Sequence, residues 1–217
     1  MISPGPYADR SAAGRALAEA LVGVLVDHDR DQRELLVLAL PRGGVPVAVP
    51  VARSLDAPLS VLVVRKLGAP DQPELAVGAI AAIGDRVVRV LNDPWVRRLR
   101  LSAERLAAIA DAETEQLRDR VRQWGSTPSV AGRTVIVVDD GLATGATMRA
   151  AVIAVRGAGA ERVVAAAPVG AAGACRELAD LADLVVCPRQ PEPFRAVGEH
   201  YRDFAQLEDS DVIALLR

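Results

Sequence analysis

Short apolar runs alternate with segments of helical spacing along most of this chain, and this alternation constrains the fold more than any other feature. A continuous apolar run of this length that ends in a turn is typical of a buried strand. The runs occupy residues 35–40, 59–64, 135–138, 163–167 and 184–187. Strands that alternate with helices form a mostly parallel sheet with helices on its faces. We therefore predict an α/β fold with ligand sites at the carboxyl ends of its strands.

The segments between these runs supply the predicted helices and one hairpin. Helical spacing covers residues 11–26, 45–55, 102–124, 148–156 and 175–182. Ser11 is the predicted N-cap of the first helix. Residues 76–83 and 86–91 are predicted strands around a Gly84-Asp85 turn, and the Gly/Pro-rich stretch 67–73 is a predicted mobile loop. No repeat or linker divides the sequence, so we expect a single domain over residues 1–217.

The composition excludes several classes of protein. The net charge of the 217 residues is −2, which provides no overall field that would attract a nucleic acid or an anionic membrane. The longest stretch without charge, residues 163–175, is too short to cross a bilayer. Cys175 and Cys187 are the only cysteines, too few for a disulfide framework. We therefore expect a cytoplasmic protein without nucleic-acid or membrane partners.

The most informative segment is VIVVDDGLATGAT, residues 135–147. Its apolar run brings Asp139 and Asp140 to the end of a strand, where a Thr/Gly loop begins the next helix. Backbone N–H groups at a helix N-terminus bind phosphate, and the hydroxyl groups of Thr144 and Thr147 add donors. The two acids repel phosphate, so sugar hydroxyls or a cation suit them better. Either half alone is more often a solvated strand end or a helix cap, but the whole string favours a site for a ribose 5-phosphate.

This segment resembles the phosphoribosyl pyrophosphate signature of the type I phosphoribosyltransferases. The resemblance implies an Mg²⁺-dependent enzyme that transfers a 5-phosphoribosyl group to a nitrogenous base and releases pyrophosphate. It implies that Asp139 and Asp140 bind the ribose hydroxyls and that Mg²⁺ binds through the substrate, with the same two acids as candidate ligands. One departure from the family pattern is Gly141, where most members have an aliphatic residue. The implied 5′-phosphate loop consists of Ala143, Thr144, Gly145, Ala146 and Thr147.

Two upstream segments fit the same resemblance. The turn Arg42-Gly43-Gly44 resembles the pyrophosphate loop of the family, which implies a non-proline cis peptide at Pro41–Arg42. Lys66, the only lysine in the chain, stands where the family has a basic residue before a flexible loop that folds over the active site, here residues 67–74. By itself the first segment is more often an ordinary strand-to-helix turn, and only the downstream string favours pyrophosphate binding there. A lysine at a strand end is as often a solvated cation. Arg42 and Lys66 are therefore candidates, beside the two acids, for stabilising the departing pyrophosphate.

The C-terminal part of the chain lies where the family places a hood over the base. The resemblance implies a core at about 30–187, a lid and hairpin at about 66–92 and a hood at about 188–217, and it implies a homodimer. Within the hood, Arg189 and Phe194 are the candidates for contacts with the base. His28 and His200 have no neighbours at metal-ligand spacing and are expected to be structural or exposed.

Four alternatives concern the acceptor base and the activity. Enzymes for 6-oxopurines usually carry an acid at the position of Ala143, so the string DDGLATGATM favours the adenine-type loop without identifying the base. A regulator that keeps the fold and binds nucleotide or RNA without useful turnover is a second candidate. It predicts a basic RNA face, which the net charge of −2 does not support. An unrelated sugar-phosphate hydrolase would need a nucleophile or a full metal shell near the acids, and an ATPase would need a Walker-type GxxxxGK(S/T) string. The sequence shows none of these.

Overall fold

The computed structural model describes residues 5–25, 35–84 and 86–216, and its central feature is a five-stranded sheet. With strands numbered in chain order, this sheet contains β1 (Leu35–Ala39), β2 (Leu59–Val61), β6 (Thr134–Val138), β7 (Arg162–Ala166) and β8 (Leu184–Val186). All five strands are parallel and lie in the order β2-β1-β6-β7-β8. The predicted α/β fold with a parallel sheet is therefore confirmed.

Helices cover both faces of this sheet because the strand side chains alternate between two apolar clusters. In β1, Leu36 and Leu38 pack on one face and Val37 packs on the other. The face of Val37 is covered by α1 (Arg10–Leu25), α2 (Gly44–Ser54) and α7 (Asp209–Leu215). The opposite face is covered by α5 (Ala146–Gly157) and α6 (Ala172–Ala179). Every residue of β1 and β6 is buried, so the turns that follow these two strands start from fixed points.

The first helix begins earlier than its sequence pattern predicts. Asp9 caps the helix, because its Oδ1 accepts a hydrogen bond from the backbone N–H of Ala12 at 2.6 Å. Ser11 is exposed and accepts a hydrogen bond from the guanidinium of Arg15. The prediction that Ser11 is the N-cap is wrong, since aspartate two residues earlier is an equally good capping residue and the helix starts at Arg10.

A second, antiparallel sheet stands beside the first and contains the predicted hairpin. Its strands are β3 (Val64–Ala69), β4 (Gln72–Ile83) and β5 (Arg86–Leu91), in the order β3-β4-β5. Two helices follow, α3 (Asp93–Arg98) and α4 (Ala103–Trp124). The pairing of β4 with β5 confirms the hairpin, although Asp85 of its predicted turn lies outside the described residues.

The prediction of a mobile loop over residues 67–73 is wrong. Most of these residues belong to β3 and β4, which pair with each other around a short turn at 70–71. The alternate side chains Leu67 and Ala69 are buried in a cluster that also contains Leu106 and Leu117 of α4. Tertiary packing against α4 therefore overrides the turn propensity of the glycine and proline residues in this stretch.

The C-terminal segment joins the N-terminal segment at one end of the main sheet. Tyr7 forms an isolated bridge with Tyr201, which follows a short 3₁₀ helix (Val197–His200). The two tyrosine rings pack with Phe194 and Phe204 in a small apolar cluster, which we call the hood cluster. Beyond it the chain returns to α2 as α7. Within the described residues, no helix is both long enough and apolar enough to span a membrane.

Candidate active site

The turns that follow β1 and β6 contact each other at the carboxyl edge of the main sheet. The backbone N–H of Leu40 donates to the carbonyl of Val138 at 2.8 Å, which aligns the ends of the two strands. A Cβ atom placed on Gly43 would lie 2.0 Å from Oδ2 of Asp140. A Cβ atom on Gly44 would lie 2.5 Å from the carbonyl oxygen of Val138. Only glycine allows this approach, so the predicted pyrophosphate loop packs directly against the predicted ribose-binding acids.

The peptide bond between Pro41 and Arg42 is cis, as the resemblance implied. This prediction is confirmed.

Asp139 and Asp140 are half-buried at the tip of β6, where their charges are only partly compensated. The backbone N–H of Asp140 donates to Oδ1 of Asp139 at 2.8 Å. Burial raises the pKa of Asp139 well above its ordinary value, and the neighbouring charge of Asp140 raises it further. Burial also raises the pKa of Asp140, although a hydrogen bond from Arg10 opposes that shift. The pair therefore favours a ligand that brings positive charge or hydrogen-bond donors.

The predicted 5′-phosphate loop is open to solvent. Ala143, Thr144 and Thr147 are exposed, whereas Leu142 is buried and anchors the loop through backbone hydrogen bonds to the segment after β7. Gly145 precedes α5 as its N-cap residue, with a φ of 69°. The free N–H groups of the first turn of α5 and the positive end of its dipole lie at this loop. Three of the five loop residues are thus reachable from solvent, beside a half-buried acid pair.

Replacing Gly145 by alanine is expected to destabilise the protein by about 1 kcal/mol, because the left-handed backbone conformation at this position disfavours a side chain. The new methyl group would meet the side chain of Ala174 at 3.4 Å, so little is added by steric overlap. Urea unfolding measures the change. An unchanged free energy of unfolding would mean that the loop adopts a different conformation in solution.

The structure brings Lys66 to the same edge of the molecule. Lys66 lies on β3 and lines a cavity of about 580 Å³ together with Pro41, Arg65 and Thr147. This cavity is lined by the residue before the predicted pyrophosphate loop, by the predicted basic residue of β3 and by the last residue of the predicted phosphate loop. Its far wall belongs to α4, which contributes Glu113. β3 therefore forms one wall of the cavity, and part of this wall belongs to the stretch 67–74 that the sequence predicts as a lid.

The side chain of Arg42 has partners in the C-terminal segment. Its Nε is 2.9 Å from Oδ1 of Asp209, and its Nη1 donates to the carbonyl of Leu207 at 2.7 Å. Arg120 of α4 approaches the same carboxylate at 3.5 Å. The guanidinium of Arg42 thus anchors the start of α7, while its backbone remains in the turn beside the acids.

The two predicted base contacts, Arg189 and Phe194, make packing contacts in the hood cluster. The guanidinium of Arg189 lies 3.6 Å from the ring centroid of Tyr7 and donates to the carbonyl of Gly5. The ring of Phe194 stacks on His200, with 5.1 Å between centroids. His200 therefore has a structural position, as expected, and His28 lies outside the described residues.

Two residues that contact the acid pair were not identified from the sequence. Nε of Arg10 donates to Oδ2 of Asp140 at 2.9 Å, and Oη of Tyr201 donates to the backbone carbonyl of Asp140 at 2.5 Å. Burial raises the pKa of Tyr201, which keeps its hydroxyl protonated as a donor. In the sequence, nothing distinguishes Arg10 from other basic residues near the start of a helix. The only signal for Tyr201 is the scarcity of its residue type, since the chain contains just two tyrosines.

The acid pair is suited to Mg²⁺ only with help from a substrate. In the described parts of the chain there is no group of three or more His, Cys, Asp or Glu side chains that could hold a metal. Mg²⁺ is commonly bound by one or two carboxylates together with phosphate oxygens of the substrate. Two half-buried carboxylates with raised pKa values beside a phosphate loop fit that arrangement.

Comparisons with known proteins identify the family of the chain. Two proteins of Mycobacterium tuberculosis, from strains CDC 1551 and H37Rv and provisionally named phosphoribosyl transferases, are each 46% identical to the chain over 213 residues, or 97% of its length. The chain spans only about half of these relatives, 46% of each.

Two solved structures have a similar fold. The crystal structure of TT1426 from Thermus thermophilus is 40% identical, with a TM-score of 0.84 and 97% of both chains covered. The structure of AQ2163 from Aquifex aeolicus is 10% identical, with a TM-score of 0.54, and the match covers 87% of this chain and 78% of the AQ2163 chain. It therefore shares the fold. The family model of the phosphoribosyl transferase domain matches residues 9–202. The chain therefore belongs to the phosphoribosyl transferase domain family and has the type I phosphoribosyltransferase fold.

Proposed function

We propose that this chain transfers the 5-phosphoribosyl group of phosphoribosyl pyrophosphate to a nitrogenous base, with release of pyrophosphate and with Mg²⁺ as cofactor. The observation that carries the proposal is the contact between Gly43 and Asp140, beside the exposed loop at the start of α5. This contact supports the proposal because it brings the turn that we assign to the pyrophosphate next to the acids that we assign to the ribose, with the loop that we assign to the 5′-phosphate beside them.

Each part of the site has a distinct role in binding. Asp139 and Asp140 accept hydrogen bonds from the ribose 2′ and 3′ hydroxyls, which replaces lost hydration of the two carboxylates. The backbone N–H groups of residues 143–147 and the hydroxyls of Thr144 and Thr147 donate to the 5′-phosphate. The backbone of residues 42–44 faces the pyrophosphate.

The proposed reaction breaks the bond between C1′ of the ribose and the pyrophosphate oxygen, and a nitrogen of the base attacks C1′ from the opposite face. Positive charge develops on the ribose ring, where the nearby carboxylates of Asp139 and Asp140 stabilise it. Lys66 in the shared cavity attracts the departing pyrophosphate. Mg²⁺, held by the acids and substrate oxygens, would supply further neutralisation of the leaving group. Positioning and electrostatics suffice, and no protein nucleophile takes part.

The acceptor is a purine or pyrimidine base, and the loop favours an adenine-type enzyme over one for 6-oxopurines. Ala143 is exposed at the position where an acid would be needed to exchange a proton with a 6-oxopurine ring. Arg189 and Phe194 stay candidates for base contacts through a change in hood packing. We further propose a cytoplasmic homodimer that acts in nucleotide salvage; two free cysteines suit a reducing compartment.

The proposal is tested by measuring pyrophosphate release from phosphoribosyl pyrophosphate and Mg²⁺ with a panel of purine and pyrimidine bases. We expect turnover with at least one base and none without Mg²⁺. Binding of phosphoribosyl pyrophosphate measured by calorimetry accompanies the assay. Binding without release on any base would support the nucleotide-sensing regulator instead, and absence of both would overturn the proposal.

A further inference from the structure

Arg10 is held in one orientation by partners on several sides. Besides its 2.9 Å contact with Asp140, its Nη1 donates to the carbonyl of Ala205 at 2.9 Å. The face of its guanidinium lies 3.8 Å from the ring centroid of Phe204. Only 12% of the Arg10 side chain is exposed. Three kinds of contact, to a carboxylate, a carbonyl and an aromatic face, thus fix a single cation beside the acid pair.

The backbone of Arg10 is equally well fixed. It is the first residue of α1, whose start is capped by Asp9. Further along this helix, Leu17 and Leu21 are fully buried against the main sheet. The core of the protein therefore sets the position of the Arg10 backbone relative to the tip of β6.

Asp140 needs such a partner because its other neighbours do not hold its side chain in place. Asp139 carries the same charge, and Gly43 offers only van der Waals contact. The hydrogen bond from Tyr201 goes to the backbone carbonyl and does not reach the carboxylate. By occupying Oδ2, Arg10 fixes the direction of the second carboxylate oxygen.

We infer that Arg10 is a positioning residue for the proposed reaction: it orients Asp140 so that the free carboxylate oxygen accepts a ribose hydroxyl of phosphoribosyl pyrophosphate. This inference rests on the proposed function. Through Asp140, the first residue of α1 would then affect sugar binding, although α1 lies at the opposite end of the sequence from the hood.

The identity of the cation matters for this role. The planar guanidinium donates to Asp140 and to Ala205 with different nitrogens while its face covers Phe204. The ammonium of lysine is a point charge that reproduces only the attraction to the carboxylate. Stability alone is a weak reason for such a pair, since buried ion pairs rarely stabilise a protein more than apolar packing does.

The test compares Arg10→Met, Arg10→Lys and the control Arg15→Met, which makes the same change at an exposed position of the same helix. For Arg10→Met we expect the KM and the calorimetric Kd for phosphoribosyl pyrophosphate to rise about 10–100-fold, the range typical of residues that orient a ligand-binding group. The kcat should change less. Arg10→Lys should recover part of the affinity, and Arg15→Met should match the wild type.

A merely structural role for Arg10 predicts a different pattern. Fewer molecules would be folded, so kcat would fall while KM stayed unchanged, because KM does not depend on the concentration of active protein. Phe204→Leu provides a second variant, because it removes the aromatic face that the guanidinium packs on and keeps the charge of Arg10. It should raise KM by a smaller factor than Arg10→Met does. Unchanged KM in both variants, with an active wild type, overturns this inference alone. A wild type that neither binds nor turns over phosphoribosyl pyrophosphate overturns the proposed function together with it.

Discussion

The Asp139→Asn variant is expected to lose at least about a hundredfold in the rate of pyrophosphate release and yet to be more stable than the wild type in ligand-free buffer at neutral pH. The activity falls because an amide cannot stabilise the positive charge that develops on the ribose. The stability rises because burial and the adjacent Asp140 make ionisation of this carboxyl unfavourable, as its raised pKa shows. Asparagine still offers an oxygen to the backbone N–H of Asp140.

The pH dependence of this stabilisation follows from the direction of the pKa shift. In the folded protein the pKa of Asp139 lies above its ordinary value of 3.8, so the folded state binds the proton more tightly than the unfolded state. The free energy of unfolding of the wild type therefore decreases as the pH rises from the ordinary to the raised pKa. The advantage of Asp139→Asn should be complete above the raised pKa and should vanish below pH 3.8.

Urea unfolding at pH 4 and pH 8, in buffer free of divalent metal, measures this difference. Asp111→Asn is the matched control, because Asp111 is exposed on α4, and neither its stability nor its activity should change noticeably. A variant of Asp139 that is less stable than the wild type at pH 8 would show that the charge is already compensated in the free protein. Full activity of the variant would show that the Asp139 carboxylate takes no part in the reaction.

Gly43→Ala is expected to reduce kcat/KM for phosphoribosyl pyrophosphate by about a hundredfold, since displacement of a reacting or binding group by about 1 Å has effects of this size. The backbone of Gly43 has φ −61° and ψ −35°, which alanine adopts readily. The substitution therefore tests only whether the added methyl group fits between the turn and Asp140. Its methyl group would lie 2.0 Å from Oδ2 of Asp140, so either the carboxylate or the pyrophosphate loop must move.

Gly23→Ala is the control for this substitution. Gly23 lies within α1, and a methyl group added there would have no heavy atom within 4 Å. Alanine should therefore stabilise the protein by about 0.5–1 kcal/mol and leave activity unchanged. Steady-state kinetics of both variants and a crystal structure of Gly43→Ala measure the outcome. Wild-type kcat/KM in Gly43→Ala would mean that the loop and the acids do not act as one site.

The sequence alone determined the features that depend on neighbouring residues. The apolar runs predicted the parallel sheet, and the string from residue 135 to 147 predicted two acids and a Thr/Gly loop at the tip of β6, where the structure has them. The resemblance carried by that string also predicted the cis peptide after β1. The sheet and the position of the acids were accessible because the burial of a strand follows the pattern of its side chains over a few residues.

Only the tertiary structure decided the contacts between distant segments. Arg10 reaches Asp140 across 130 residues, and Arg42 is paired with Asp209 at the far end of the chain. The stretch 67–73, predicted as a loop from its glycine and prolines, is a hairpin because α4 buries one of its faces. Local sequence does not encode which helix will cover a strand or which cation will meet a carboxylate, since those outcomes depend on how the assembled core places the elements.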